Sequence, residues 1–237
     1  MVSLLSDIGM YHRKTDGENQ DVVSQKEGKR YSVISLADGV STCSRAKTGA
    51  AIASASIANL LFKNASFFLE FNEKQIAEYA LSHILSELTQ QAENDLTNLC
   101  EYSSTVASVL YDRVTRKLLF FNLGDSIIIA VENGLCKIVS MPSNSMDGCC
   151  VTTTDGAIES IHTGVIEATS LDAIIICSDG AWHHMFEKNK LKPAVAAMLC
   201  GKAFNELADY LSAQRCYDDY SFISLDTIQK VDRRKSA

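Results

Sequence analysis

Apolar residues recur along this chain in two rhythms that alternate in blocks. In the first forty residues they fall at every second position or in short unbroken runs, as in VSLLSDI and YSVISLA, which predicts strands near 2 to 8, 20 to 25 and 30 to 37. Beyond 45 the spacing widens to three and four. AKTGAAIASASIANLLF, rich in small residues, and EKQIAEYALSHILSELTQQAEN, with Ile76, Tyr79, Ala80, His83 and Leu88 along one face, predict helices over 45 to 63 and 73 to 96. Both suit the role of cover for a sheet, and His83 is read as structural.

Strands resume near 104. Residues 104 to 139 read as successive strands with turns at Asp112 to Arg116, near Gly124 and at Asn133-Gly134, the last a strong hairpin signal. From 140 to 165 the chain is rich in Ser, Thr, Gly and Asp, and we expect a mobile flap with one or two strands. A buried strand over 172 to 178, short helices across 182 to 213 and a last strand over 219 to 226 follow, with a tail from about 228. Runs of strands joined by hairpins favour an antiparallel, layered α+β architecture over a doubly wound sheet. No repeat or linker interrupts 1 to 237, so one domain is expected.

Composition narrows the function. With 46% hydrophobic residues in 237, a substantial core can be buried, and a formal charge of −7 argues against a surface that neutralises nucleic-acid phosphates. AAIASASIANLLF falls short of the roughly 18 residues of a bilayer span, and MVSLLSDIG lacks the basic flank of an export signal. We therefore expect a cytoplasmic protein with neither nucleic acid nor membrane as partner. Eight cysteines show neither disulfide-scaffold spacing nor a C-x-x-C pair, and reduced, packed thiols are the expectation.

The chemistry lies at the strand ends. VISLADG (33 to 39) and IIICSDG (174 to 180) are apolar runs that stop on Asp-Gly; LFFNLGD (119 to 125) reverses the order, and YDDYSFISL (217 to 225) sets its acids first. One such carboxylate is ordinary turn chemistry. If Asp38, Asp125, Asp179 and Asp218 converge, each pair about 4 Å apart repels by about 4 kcal/mol at an effective dielectric of about 20, and the cluster needs protons or cations. All-oxygen donors select hard Mg²⁺ or Mn²⁺ over zinc, and two such ions would share an activated water. Gly39 and Gly180 are expected to permit a sharp turn and let backbone approach an ion.

In their order these motifs resemble the metal-dependent protein phosphatases of the PP2C (PPM) family, in the compact form found in bacteria. GENQDVV (17 to 23), ADGVSTCSRAKTGA (37 to 50), SSTVASVLYD (103 to 112), NLGDS (122 to 126), CSDGAW (177 to 182) and DDYSFI (218 to 223) carry the likeness, which covers nearly the whole chain. The resemblance implies a four-layer α/β/β/α sandwich with two central antiparallel sheets. It implies two Mn²⁺ or Mg²⁺ ions: Asp38 bridging them, the Gly39 carbonyl on one, Asp179 and Asp218 on the other, and Asp125 touching a third, weaker ion. Gln20 and Asp21 would act through water, with Asp21 also in the catalytic set beside Asp38, Asp179 and Asp218. A metal-bridging hydroxide would attack phosphoserine or phosphothreonine directly, without a phosphoenzyme. The implied partners are a phosphorylated protein and a cognate Ser/Thr kinase, and a monomer is expected.

The chain departs from the family pattern at three places. Gln20 stands where Glu is frequent, Asp16 where a phosphate-binding Arg is usual, and Val40 where eukaryotic members carry His. His12 or Arg13 is the expected phosphate contact, an exposed basic turn being the alternative. His183 and His184 read as surface or capping residues, His162 as structural, Trp182 as packing beneath the metal loop, and Asp147 and Asp155 as flap acids. Two other readings stay open: a catalytically weak PP2C-like regulatory or scaffold module, and a hydrolase of small phosphoesters.

Overall fold

Strand side chains point alternately to opposite faces, so a strand that is apolar at every position must be covered on both. In β3 (Tyr31–Asp38), Val33 and Ala37 face helices while Ile34 and Leu36 face a second sheet. In β11 (Leu171–Cys177) the division recurs: Ala173, Ile175 and Cys177 lie under helices, Ile174 and Ile176 between the sheets. Three separate apolar cores result, which is the signature of four layers.

The computed structural model describes residues 1–145 and 148–227. One antiparallel sheet has the order β1 (Val2–Asp7), β14 (Tyr220–Asp226), β11, β6 (Ile127–Glu132) and β7 (Leu135–Ser140). The other runs β10 (His162–Glu167), β5 (Lys117–Leu123), β4 (Val106–Asp112), β3 and β2 (Asp21–Glu27). Helices α2 (Ala46–Lys63) and α4 (Glu73–Asn94) cover the second sheet, joined by the short α3 (Ala65–Phe68). Helices α5 (Asp179–Met185), α6 (Pro193–Cys200) and α7 (Phe204–Ser212) cover the first. Both large antiparallel sheets and their helical cover agree with the expected layered α+β fold.

Local chemistry sets the boundaries. Asn72 and Gln75 form a reciprocal capping box at the start of α4, the Asn72 side chain accepting from the Gln75 N–H at 2.9 Å. The helix stops at Asn94 rather than the expected 96, because Leu96 takes a left-handed φ of 52°. At the β6–β7 hairpin, Asn133 and Gly134 both have positive φ, 51° and 72°, as the Asn-Gly pair predicts.

Elsewhere the sequence reading needs correction. The stretch 140 to 165, where one or two strands were expected, holds the minimal hairpin β8 (Asn144–Ser145) with β9 (Gly148–Cys149) and the start of β10, which runs on to Glu167 and completes the second sheet. Helix α5 begins at Asp179, not 182, and its first turn carries the acid of the Asp-Gly motif. The five-residue α1 (Met10–Lys14) and the hairpin β12 (Phe186–Glu187) with β13 (Lys190–Leu191) were not expected. Asp147 and the tail from 228 lie outside the described residues.

Candidate metal centre

The acids at the strand ends do meet. Asp38, Gly39, Asp125, Asp179 and Asp218 line one cleft of about 170 Å³, together with Thr105 and Cys149. A larger cavity of about 570 Å³ lies elsewhere, lined mainly by apolar residues such as Leu135, Phe186 and Leu191, and offers no comparable chemistry.

Each acid is delivered by a different element. Asp38 ends β3, and its backbone is clamped to Thr105: the Thr105 N–H donates to the Asp38 carbonyl at 2.8 Å, and the Asp38 N–H to Thr105 Oγ1 at 3.2 Å. Asp21 opens β2 directly opposite Asp38 in the ladder, an unfavourable like-charge pairing. Ser178, at the end of β11, donates to Asp21 Oδ2 at 2.7 Å and so ties the first sheet to the second. Asp179 follows on α5, and Asp125 sits in the β5–β6 turn, where its carbonyl accepts from Trp182 Nε1 at 2.8 Å. Trp182 thus braces the Asp125 loop.

Glycine is required here for closeness rather than for a turn. Neither Gly39 nor Gly180 has a positive φ. A Cβ at Gly180 would lie 2.1 Å from the Asp219 carbonyl oxygen, and one at Gly39 would lie 2.7 Å from Ala46 backbone atoms. The metal-loop backbones are pressed against neighbours that leave no room for a side chain.

Electrostatics follow from burial. The Asp38 carboxyl is held well above the usual range, first by withdrawal from water and then by the charges of Asp21, Asp179, Asp125 and Asp218. Asp21 and Asp179 are each pushed up to about 7, burial again the leading cause. Asp125 is raised by burial and by Asp218, partly offset by hydrogen bonding to Cys149 and by His183. Asp21 Oδ1 and Gln20 Oε1 are buried without a hydrogen-bond partner. Orphaned carboxylate and amide oxygens, raised proton affinities and an all-oxygen donor set suit a hard divalent cation.

The pair Asp218-Asp219 divides its labour. Asp218 is exposed at the rim, whereas Asp219 is 1% exposed and accepts three hydrogen bonds: Gly9 N–H at 2.8 Å, Gln20 N–H at 2.7 Å and His12 Nδ1 at 2.9 Å. The expected phosphate contacts therefore part company. His12 is buried against Asp219, and ligand atoms of His12, Asp218 and Asp219 lie within 4.8 Å of one another, the one such trio among the described residues. Arg13 is half-exposed, bound to Asp7 Oδ1 at 3.0 Å and to the Ile8 carbonyl at 2.8 Å. Of the remaining histidines, His162 bonds Ser140 Oγ at 2.8 Å and His183 lies on Trp182 with ring centroids 4.1 Å apart. Asp155 is exposed.

Asp219, Ser178, Thr105 and Cys149 escaped the sequence reading. Asp219 alone left a trace there, as the second member of an acidic pair before an apolar run.

The profile of the Protein phosphatase 2C family matches residues 8–213. The chain belongs to that family. Metal dependence is a property of PP2C enzymes, and five of the six motifs fall inside the matched span, DDYSFI (218 to 223) lying just beyond it. Among solved structures with the PP2C fold, the S. agalactiae serine/threonine phosphatase superposes with a TM-score of 0.68 at 19% identity, covering 94% of this chain and 98% of that one. Serine/threonine phosphatase Stp1 from Staphylococcus aureus gives 0.62 at 12% identity over 96% and 94%. RsbX, solved in complex with magnesium, gives 0.55 at 15% identity over 94% and 92%. At these identities the likeness is one of PP2C fold. By sequence, no curated protein matches.

Proposed function

We propose that this PP2C chain is a metal-dependent protein phosphatase that hydrolyses phosphoserine and phosphothreonine in proteins. One observation carries the reading: Asp38, Asp125, Asp179 and Asp218 line one cleft, and among the described residues no Lys or Arg lines it with them. Asp38, the Gly39 carbonyl, Asp179 and Asp218 would hold two Mn²⁺ or Mg²⁺ ions, Asp125 a third, with Gln20 and Asp21 reaching them through water. Bound there, divalent ions lower the pKa of water and neutralise phosphoryl oxygens.

The chain's own residues do the rest. Asp38 joins the two halves of the donor set, because it alone is repelled by Asp21, Asp125, Asp179 and Asp218 together. Asp21, fixed by Ser178 through one oxygen, keeps the other buried without a hydrogen-bond partner. Asp219 commits His12 Nδ1 as a donor, so Nε2 would donate to a phosphoryl oxygen with the ring in its imidazolium form. Arg13, already paired with Asp7, is the weaker choice for that task. Substrates would be cytoplasmic proteins phosphorylated by a Ser/Thr kinase.

The test is hydrolysis of a phosphothreonine peptide with Mn²⁺, Mg²⁺ or chelator, for the native chain and for Asp38→Ala and Asp179→Asn. Turnover should require the cation and fall by about 10²-fold or more in each variant. Metal-independent turnover would overturn the mechanism. The scaffold reading draws on Gln20 in place of Glu and on Asp16 in place of Arg; cation binding without turnover of any phosphoester would establish it.

A further inference from the structure

All eight cysteines are free, and two of them touch: Cys136 Sγ on β7 lies 3.6 Å from Cys200 Sγ at the end of α6. Cys136 Sγ is also 4.0 Å from the Ala196 carbonyl, one turn earlier on α6, so the sulfur points at the last helical turn. β7 is the outer strand of its sheet. Between strand and helix runs the apolar groove of about 570 Å³, lined by both cysteines with Leu135, Ile138, Phe186 and Leu191. Each thiol is only partly buried, so a small solute in the groove reaches the pair.

The other cysteines lack this arrangement. Cys177 and Cys216 are buried, the Cys43 sulfur faces the Cys100 carbonyl at 3.2 Å, and Cys149 is engaged with Asp125.

We propose that Cys136 and Cys200 form a redox modification site, which a peroxide closes into a disulfide stapling β7 to α6 and a thiol reductant reopens. Cys200 gives up its proton and its thiolate attacks one peroxide oxygen; the O–O bond breaks, Cys200 becomes a sulfenic acid, and the released hydroxide takes up that proton as the first water. The Cys136 sulfur then attacks the sulfenic sulfur. An S–S bond forms, the S–O bond breaks, and the departing hydroxide takes the Cys136 proton as the second water. The thiol pair loses two electrons and the peroxide gains them.

Burial and the neighbouring thiol push Cys136 up to about 12, which makes its thiolate scarce and favours Cys200 as the sulfur oxidised first. Contact geometry offsets that scarcity of thiolate by making the second step intramolecular. Closing 3.6 Å to the roughly 2.05 Å of a disulfide needs a small shift, which side-chain rotation at an outer strand can supply. The cysteines are 64 positions apart, so the staple encloses β11 and Asp179 in one covalent loop.

The experiment treats the full chain with hydrogen peroxide, blocks remaining thiols and maps peptides without reductant. A Cys136–Cys200 linked peptide, loss of two titratable thiols from eight, and a thermal midpoint higher by about 5–10 °C that dithiothreitol reverses are expected. Cys136→Ser and Cys200→Ser should each abolish the linked peptide. Eight thiols surviving peroxide, Cys200 found as sulfinic acid with Cys136 free, or a linkage to any other cysteine would overturn the proposal. The peptide map of the unmutated chain decides the matter even where a serine variant fails to fold.

Discussion

The two ends of the β3–β4 strand pair bury carboxylates on opposite terms. At one end Asp112, fully buried, meets Arg30 at 2.9 Å and also accepts from Val114 N–H and Thr115 Oγ1, at 2.9 and 2.8 Å. Burial alone would raise it, yet those partners hold it down to about 2. At the other end, Asp38 has carboxylates for neighbours and is driven upward. The fold thus completes its own electrostatics at one end and leaves like charges together at the other. A protein able to balance one buried acid has the means to balance a second; five left together form a donor set.

The contrast can be broken at either end. The largest thermodynamic effect should follow Arg30→Ala, which strands a buried Asp112 and should lower the urea midpoint at neutral pH. No loss would mean that the backbone and Thr115 suffice.

At the cleft the sign reverses. Asp38→Asn should stabilise the metal-free protein by about 1–2 kcal/mol at pH 7.5 while removing the stabilisation that Mn²⁺ gives the native chain. A destabilised variant that still responds to Mn²⁺ would show that Asp38 is not under the repulsion described.

The two ends also titrate oppositely. Asp21 and Asp179 have folded values near 7, above an unfolded value of about 3.9, so the folded state holds extra protons between. Their contribution is fully present below about pH 4 and is lost as pH rises through about 7. Asp112 lies below its unfolded value, so its contribution is present above about pH 4 and lost as pH falls through about 2. Metal-free midpoints should decline from pH 5 to 8, and saturating Mn²⁺ should flatten that decline; a flat metal-free profile would contradict the clustering.

The smallest change concerns the strut behind the cleft. Asp219→Asn keeps an acceptor for Gly9 N–H but turns an NH₂ toward Gln20 N–H or His12. Mn²⁺ affinity by calorimetry should fall by about 10-fold, with little shift in midpoint.

Legibility in the sequence followed length and period. Strands with apolar residues on both faces, the two long helices and the Asn133-Gly134 turn could be read directly, and so could the acids of the Asp-Gly loops. Helices of four and five residues, and the two-residue β12 and β13, are too short to show a period. β10, HTGVIE, is polar at its solvent side and was hidden within a stretch of turn residues. Asp219, Ser178 and Thr105 act through partners far away in the chain, which no local pattern reports.

Asp219 takes its donors from Gly9, His12 and Gln20, some 200 positions earlier. Closing so distant a span is among the last entropic debts settled in folding. A chain clipped ahead of Asp218 would therefore lack both acids of that pair and the strand that links β1 to β11, and the cleft could not assemble.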